Sequence, residues 1–188
     1  MKPVVVDLDD LCDYWNPYEL LLQWKEENPN GKVTLFTIPR RCSDKLLQQY
    51  RDLQWVELAV HGWQHTMAEC IAWSSEETAA KLQWCANNGY IPGFKAPGWL
   101  MTREVVDGCN EAGFWIAGHS EHRALWQPGD TNYVYNRKRR TDNWVSAHGH
   151  THDTMGNGIE EAFSSFCFPK DTQFKFISEV VSESPSSN

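Results

Sequence analysis

Two early segments of the chain carry side chains suited to metal binding and acid–base chemistry. Asp7, Asp9 and Asp10 close a short apolar run, and neighbouring carboxylates raise each other's pKa unless a cation lies beside them. His61 and His65 are four residues apart, and on a helix that spacing places both imidazoles on one face, where both can reach one ion. The alternatives are that Asp10 caps a local turn and that the histidines are separate surface residues.

Two later segments add a basic residue and a cluster of titratable groups. Lys95 precedes the turn-forming pair Pro97-Gly98, which could place an ammonium beside the carboxylates or could be a plain turn. His148, His150 and His152 form the densest titratable cluster in the chain, and histidine donates and accepts protons near neutral pH. The alternative is that one of the three acts and the other two only belong to the loop.

Alternating strands and helices must position these groups. Strands are predicted at residues 3–8, 32–38, 55–60, 90–95, 114–117, 133–135, 144–147 and 174–178. Helices are predicted to begin after Asn16, after Ser43, after either Ser74 or Ser75, and after Thr102, with another at 158–167. This alternation indicates an α/β fold with a parallel sheet or barrel, in which chemistry takes place at the carboxyl ends of the strands. All four segments follow a predicted strand.

Length and charge limit what the protein can be. The 188 residues suit one domain, predicted over residues 1–181, followed by a polar tail at 182–188 that we expect to be disordered. The net charge of −8 argues against nucleic acid or an anionic membrane as a partner. The basic run at 137–140 is either a solvated loop or a docking patch for an anionic part of a substrate.

Cysteine usage and the start of the chain indicate a cytoplasmic protein. The six cysteines are scattered without a CxxC pair, and Met1-Lys2-Pro3 leads directly into a strand without a signal peptide. No apolar stretch reaches the 18 or so residues of a membrane span. We therefore expect reduced thiols and a cytoplasmic location, and a phage- or virus-encoded protein acting inside a host fits equally well.

Taken in order, the four segments resemble the metal-dependent polysaccharide deacetylases, which include chitin, chitooligosaccharide and peptidoglycan N-deacetylases. The shared order is Asp9-Asp10, then His61-x-x-x-His65, then a basic residue before Pro-Gly, then a late His148 after an apolar strand. The resemblance extends from Val4 to the closing segment 176–179 and implies a single-domain distorted (β/α) barrel.

The resemblance also implies a ligand set and a reaction. Asp10, His61 and His65 match the family's Asp-His-His triad for one divalent metal, with Zn²⁺ expected and Co²⁺ or Ni²⁺ as alternatives. Such a triad leaves one position on the metal for water, which is the arrangement that hydrolysis of an acetamide requires. The expected reaction is the removal of an acetyl group from an N-acetylated sugar or sugar conjugate.

The proton-transfer roles also follow from the resemblance. Asp9 matches the general base, and Lys95 stands where the family usually has an arginine that holds this base. Lysine lacks the bidentate fork of arginine, so it holds the base less firmly. His148 matches the general acid, because it directly follows the strand 144–147, whereas we expect His150 to lie in a loop beyond that strand. His150 remains the competing candidate for the acid.

The sugar site is less well defined by sequence. Trp63 and Trp99 flank the motifs and could stack on sugar faces or could simply pack, and Pro97, Gly98 and His150 are the other residues expected at the substrate. The family's fourth motif, an acidic segment with a tryptophan, has no clean match, and the nearest segment is 118–122.

Three other functions are compatible with the sequence. The same fold could hydrolyse a different non-peptide C–N bond. A catalytically dead carbohydrate-binding module would account for Lys95 and the missing fourth motif. The sequence Gly-His-Thr-His at 149–152 resembles a late motif of the metallophosphoesterases. The chain lacks that family's early Asp-x-His and its Gly-Asn-His segment. Metal analysis together with acetate release would separate these functions.

Overall fold

A computed structural model describes residues 2–119, 125, 127, 130, 133–135, 143–152 and 168–183. The strands are β1 Val4–Leu11, β2 Val33–Thr37, β3 Val56–His61, β4 Gly93–Lys95, β5 Trp115–Ala117, β6 Tyr133–Tyr135, β7 Val145–His150 and β8 Phe174–Lys175. The α-helices are α1 Tyr18–Glu27, α2 Asp44–Arg51, α3 Ser75–Asn87, α4 Arg103–Ala112 and α5 Ile177–Glu183. The chain forms two compact units, and it passes from the first to the second inside β3.

The first unit comprises Met1–Thr37, Arg41–Leu58 and Lys138–Ile177. Its strands follow the order β3, β2, β1, β7, and β8 pairs with the first residues of β1. Strand β1 runs parallel to β2, β7 and β8. It is buried from Val5 to Leu11, as expected for a parallel strand covered on both faces.

Burial of β1 brings acidic residues into the interior together with apolar ones. Val5 and Leu8 are fully buried, and so are the carboxylates Asp7, Asp9 and Asp10, none of which is more than 3% exposed. The register pairs Asp7 with His148 and Asp9 with His150 on β7. Because paired residues of neighbouring parallel strands point to the same face, β1 and β7 bring acids and histidines together on one side of the sheet.

The second unit comprises Ile38–Arg40, Ala59–Arg137 and Ser178–Asn188. Strands β3, β4, β5 and β6 are neighbours in that order, and their pairings are parallel. The register places His61 opposite Lys95. Helices α3 and α4 pack closely where α4 has Gly108, because a Cβ at that position would lie 2.4 Å from the Cβ of Thr78.

Two predicted helix caps are confirmed. Ser43 caps α2 by accepting a hydrogen bond from the Leu46 amide, and Ser74 caps α3 by accepting one from the Glu77 amide. No disulfide joins the five cysteines that the structure describes. None of the described helices is long and apolar enough to cross a membrane.

Other boundaries differ from the prediction. The strand expected at 90–95 is confined to Gly93–Lys95, because Pro92 lacks an amide hydrogen for a sheet hydrogen bond. The strand expected at 174–178 stops at Lys175, and α5 begins at Ile177, so Ser182 and Glu183 of the expected tail are helical. The predicted helix at 158–167 and the basic run at 137–140 lie outside the described residues.

Candidate active site

Six side chains at the carboxyl ends of β1 and β7 form what we call the Asp–His cluster of the first unit: Asp7, Asp9, Asp10, His148, His150 and His152. The sequence predicted that strand ends would carry the chemistry, and this edge of the sheet does bring together the acids of one segment and the histidines of another. Three nearly buried carboxylates concentrate negative charge that protonated histidine or a metal ion would offset.

His148 and Asp7 form a close pair within the cluster. His148 Nδ1 lies 2.8 Å from Oδ2 of the fully buried Asp7. An ionised carboxylate only accepts hydrogen bonds, so Nδ1 carries the proton that it donates to Asp7. The other ring nitrogen, Nε2, lies 3.9 Å from Oδ2 of Asp9. His148 therefore has a buried carboxylate that holds its ring, while Nε2 faces the predicted base.

His150 also belongs to this cluster, which corrects the sequence prediction. Strand β7 extends to His150 rather than ending before His148, and the Thr151 amide donates to the Asp9 carbonyl at 2.9 Å. The prediction failed because Gly149 suggested a loop, whereas the parallel pairing with β1 continues through it. Asp9, His148 and His150 each offer a ligand-type atom, and these atoms all lie within 4.8 Å of one another.

Asp10 and His152 form a second contact at the end of β1. His152 Nε2 donates to Asp10 Oδ2 at 2.9 Å, and the His152 ring lies against Trp15 with ring centroids 4.0 Å apart. The backbone φ of Asp10 is +74°, a left-handed conformation that costs a non-glycine residue on the order of 1 kcal/mol. Strained backbone of this kind clusters at functional sites, and here it directs a predicted metal ligand.

In the second unit, His61 and His65 flank a tight turn that we call the His–Glu turn, formed by residues 61–69. The two imidazole centroids are 5.0 Å apart. The expectation that the histidines share a helix face is wrong, because His61 ends β3 and the chain then turns through left-handed conformations at Gly62 (φ +62°) and His65 (φ +57°). The tight turn, and not helical spacing, brings the two rings together.

Two features hold the histidines of this turn in place. His61 Nδ1 lies 3.0 Å from the Lys95 carbonyl, which can only accept, so Nδ1 is the protonated nitrogen and Nε2 of the neutral ring keeps its lone pair for a metal. The carboxylate of Glu69 accepts hydrogen bonds from the backbone amides of Trp63, Gln64 and His65 at 2.7, 3.1 and 3.0 Å. Glu69 was not singled out from the sequence, because its partners are backbone amides that leave no sequence signature.

Glu69→Ala is expected to lower the affinity for metal by about 10–100-fold, the usual cost of removing a group that orients a metal ligand. The reason is that three amides of the turn lose their shared acceptor, so His65 is no longer held in its left-handed conformation. Zinc affinity measured by competition with a chromophoric chelator checks this. Glu111→Ala, an exposed change on α4, is the matched control, and equal affinities in the two variants would contradict the role assigned to Glu69.

The remaining predicted residues occupy the second unit. Lys95 is fully buried, with its ammonium 4.8 Å from the centre of the Trp99 ring. Pro97 is buried and Gly98 is exposed in the short 3-10 turn between Pro97 and Trp99. Trp63 is half-buried and meets Trp84 edge-on at 5.3 Å. Trp99 therefore has a packing and charge-stabilising contact in the structure, and its role towards a sugar stays a prediction.

The predicted metal set draws Asp10 from the first unit and His61 and His65 from the second, and it remains a prediction. Asp7, Glu69, His152 and Trp15 are the site neighbours that sequence reasoning did not assign. The sequence marks Asp7 as an acid at the strand end but assigns it no role. The parallel register places it opposite His148, whose ring it contacts. The segment nearest to the missing fourth motif, 118–122, is described only as far as His119.

Comparison with solved structures identifies the fold. A CE4 family pseudoenzyme from Bacillus anthracis matches with a TM-score of 0.65 and 15% identity over 96% of this chain and 65% of that one. The family 4 acetyl xylan esterase from Clostridium thermocellum, in complex with a cobalt ion, matches with a TM-score of 0.64 and 13% identity. The match covers 97% of this chain and 91% of that one. The peptidoglycan deacetylase PdaC from Bacillus subtilis matches with a TM-score of 0.61 and 14% identity, over 97% of this chain and 92% of that one.

These matches show the fold of the chain. The chain has the fold of the CE4 polysaccharide deacetylases, a distorted (β/α) barrel, and the predicted fold class is confirmed. The chain spans about two thirds of the Bacillus anthracis protein and nearly all of the other two. No family model matches the sequence, and no curated protein matches it.

Proposed function

We propose that this protein is a metal-dependent carbohydrate deacetylase that hydrolyses the acetamide of an N-acetylated sugar or sugar conjugate. The observation that carries the proposal is the arrangement of Asp9, His148 and Asp7 in a chain with the CE4 fold. His148 Nε2 lies 3.9 Å from Oδ2 of Asp9, and the other ring nitrogen, Nδ1, lies 2.8 Å from Oδ2 of Asp7. This pairs a carboxylate base with a histidine acid, which is the combination that amide hydrolysis needs.

The residues present fit a divalent metal. A carboxylate and two imidazoles are a donor set that Zn²⁺ prefers in catalytic sites, and we assign these roles to Asp10, His61 and His65. The Lys95 carbonyl fixes the His61 tautomer, and Glu69 holds the His65 backbone, which are the supporting contacts expected around metal ligands. When bound, the ion supplies a Lewis acid that polarises the acetyl carbonyl and increases the acidity of water.

The residues of this chain then move the protons. Asp9 takes a proton from the water that attacks the acetyl carbon, and this removes the cost of forming free hydroxide. His148, protonated on Nε2, gives that proton to the nitrogen as the C–N bond breaks. The products are acetate and the free amine. Asp7 lies 2.8 Å from Nδ1 of His148 and holds the ring with Nε2 towards Asp9.

The substrate is proposed to be small and uncharged around the acetamide. The net charge of −8 disfavours an anionic polymer. We assign the sugar contacts to Trp63, Pro97-Gly98, Trp99 and His150. The half-buried rings of Trp63 and Trp99 offer the flat apolar surfaces on which sugar faces stack.

A second candidate function is a carbohydrate-binding protein without catalysis. Lys95 in place of arginine favours it, as does the similarity to a CE4 pseudoenzyme. Lysine at this position is nevertheless fully buried, with its side-chain nitrogen 4.8 Å from the centre of the Trp99 ring. Turnover distinguishes the two functions, because both would bind the sugar and only the deacetylase would release acetate.

The experiment that tests the proposal is an acetate-release screen. Chelator-treated protein is reloaded with Zn²⁺, Co²⁺ or Ni²⁺ and incubated with N-acetylglucosamine, chitooligosaccharides, other N-acetylated conjugates and acetylated xylan. We expect acetate from at least one N-acetylated sugar, and only after metal is restored. Sugar binding without acetate under every metal would support the non-catalytic candidate, and acetate from xylan alone would shift the reaction to ester hydrolysis.

A further inference from the structure

A cavity of about 570 Å³ lies at the edge of the first unit's sheet that is opposite to the Asp–His cluster. It is formed where β2 and β8 begin, together with the end of α1 and the segment before β3. The Asp–His cluster, by contrast, follows the carboxyl ends of β1 and β7. The volume falls within the range of about 300–1,000 Å³ that is typical of small-molecule sites.

The lining of this cavity is basic in an acidic protein. Lys25, Lys32 and Lys175 come from three different segments, and Asp171 is the single carboxylate among the lining residues. The chain as a whole carries a net charge of −8. A local excess of positive charge in such a chain is a feature that attracts an anion.

Two of the lysines have defined contacts with neighbouring groups. Lys25 donates to the Gly31 carbonyl at 2.9 Å and lies 5.3 Å from the centre of the Trp55 ring. The Lys32 ammonium lies 4.8 Å from the centre of the Phe176 ring. Burial lowers the pKa of Lys25, and the neighbouring charge of Lys32 lowers it further. An anion between these groups would offset both effects.

A buried hydroxyl in the same lining gives an independent indication of a ligand. Thr172 is 4% exposed, and within the part of the chain that the structure describes its Oγ1 has no hydrogen-bond partner. A buried polar atom without a partner is uncommon and costs stability, whereas a ligand oxygen at this position would satisfy it.

We propose that this cavity binds a small phosphate monoester, of the size of a sugar phosphate or a mononucleotide. Lys25, Lys32 and Lys175 contact the phosphate, and the Thr172 hydroxyl hydrogen-bonds to the ligand. The ring of Trp55 packs against its sugar or base. Phosphate is the anion that fits best, because its dianion can accept from several ammonium groups at once. The proposal is independent of the deacetylase function.

The test is calorimetric titration of the metal-loaded protein with inorganic phosphate, glucose 6-phosphate and AMP, with glucose as the neutral control. We expect one phosphomonoester to bind once per chain, glucose not to bind, and affinity to fall as salt rises. Lys25→Gln and Lys32→Gln should each weaken binding by about tenfold or more, the usual effect of losing a charge-assisted hydrogen bond. Thr172→Val should weaken it as well.

The matched control is Lys45→Gln, which removes an exposed lysine on α2 outside the cavity and should leave binding unchanged. His61→Ala should also leave it unchanged, which separates this cavity from any phosphate bound at the proposed metal. Absence of binding by all three phosphate compounds would overturn the proposal. Binding that is equally strong in the Lys25→Gln and Lys32→Gln proteins would overturn it too.

Discussion

The Asp9→Asn protein is expected to keep its fold and its metal while its turnover falls by about 10²–10⁴-fold, the usual contribution of a general base. Asparagine has nearly the same shape as aspartate, so the packing at this almost fully buried position is retained. It cannot accept a proton from water at neutral pH. The measurement is kcat for acetate release beside metal content from elemental analysis, with circular dichroism to confirm folding.

The metal content of this variant is also the sharpest check on the assigned roles. Asp9 lies with His148 and His150 in a group whose ligand-type atoms are all within 4.8 Å of one another, and such a group could itself hold an ion. If Asp9→Asn loses metal while Asp10→Asn keeps it, the two carboxylates have the opposite roles and the proposed ligand set is wrong. Retained metal in Asp9→Asn, with loss in Asp10→Asn, supports the assignment.

His148→Ala is the second change with a large expected effect. Removing the general acid should reduce kcat by about 10²–10⁴-fold with little change in metal content. The alkaline limb of the pH–rate profile reports loss of the acid's proton, so this limb should move or disappear. Asp7→Asn should produce a smaller loss of turnover, because the ring remains but its buried carboxylate partner, which holds it in position, is gone.

His150→Ala should reduce turnover less than His148→Ala, although both residues lie on β7 and face the same cluster. Because His150 is part of the strand and not of a loop, the distinction between the two histidines depends on Asp7. That buried carboxylate contacts the His148 ring directly and pairs with it in the register of the sheet. A greater loss of turnover in His150→Ala than in His148→Ala would show that the general acid has been assigned to the wrong histidine.

The sequence was sufficient to predict the α/β fold and the edge of the sheet at which the acids of β1 and the histidines of β7 lie together. Apolar β-branched runs such as Val4–Val6, followed by acids, are typical of a buried parallel strand that ends at a polar site. The capping residues Ser43 and Ser74 were predictable as well, because a cap is a local hydrogen bond within four residues of the chain.

Contacts between distant segments were not predictable in the same way. The length of β7 depends on its pairing with β1, about 140 residues away. Gly149 suggests a loop in the sequence, although the pairing continues through it. The partnership of Asp7 with His148 depends on the same register. The role of Glu69 does not follow from residue spacing, because its hydrogen-bond partners are backbone amides. The shape of the His–Glu turn does not follow from spacing either, because it depends on left-handed φ values at Gly62 and His65.

A zinc titration decides whether a metal-dependent hydrolytic site operates in this chain. Chelator-treated protein receives increasing amounts of Zn²⁺, and the rate of acetate release from an N-acetylated sugar is measured at each addition. We expect no turnover without metal, a rise that ends near one zinc per chain, and no comparable rise in His61→Ala. Turnover that is independent of zinc, or a His61→Ala protein that responds to zinc like the unaltered one, would show that the proposed metal site does not carry the reaction.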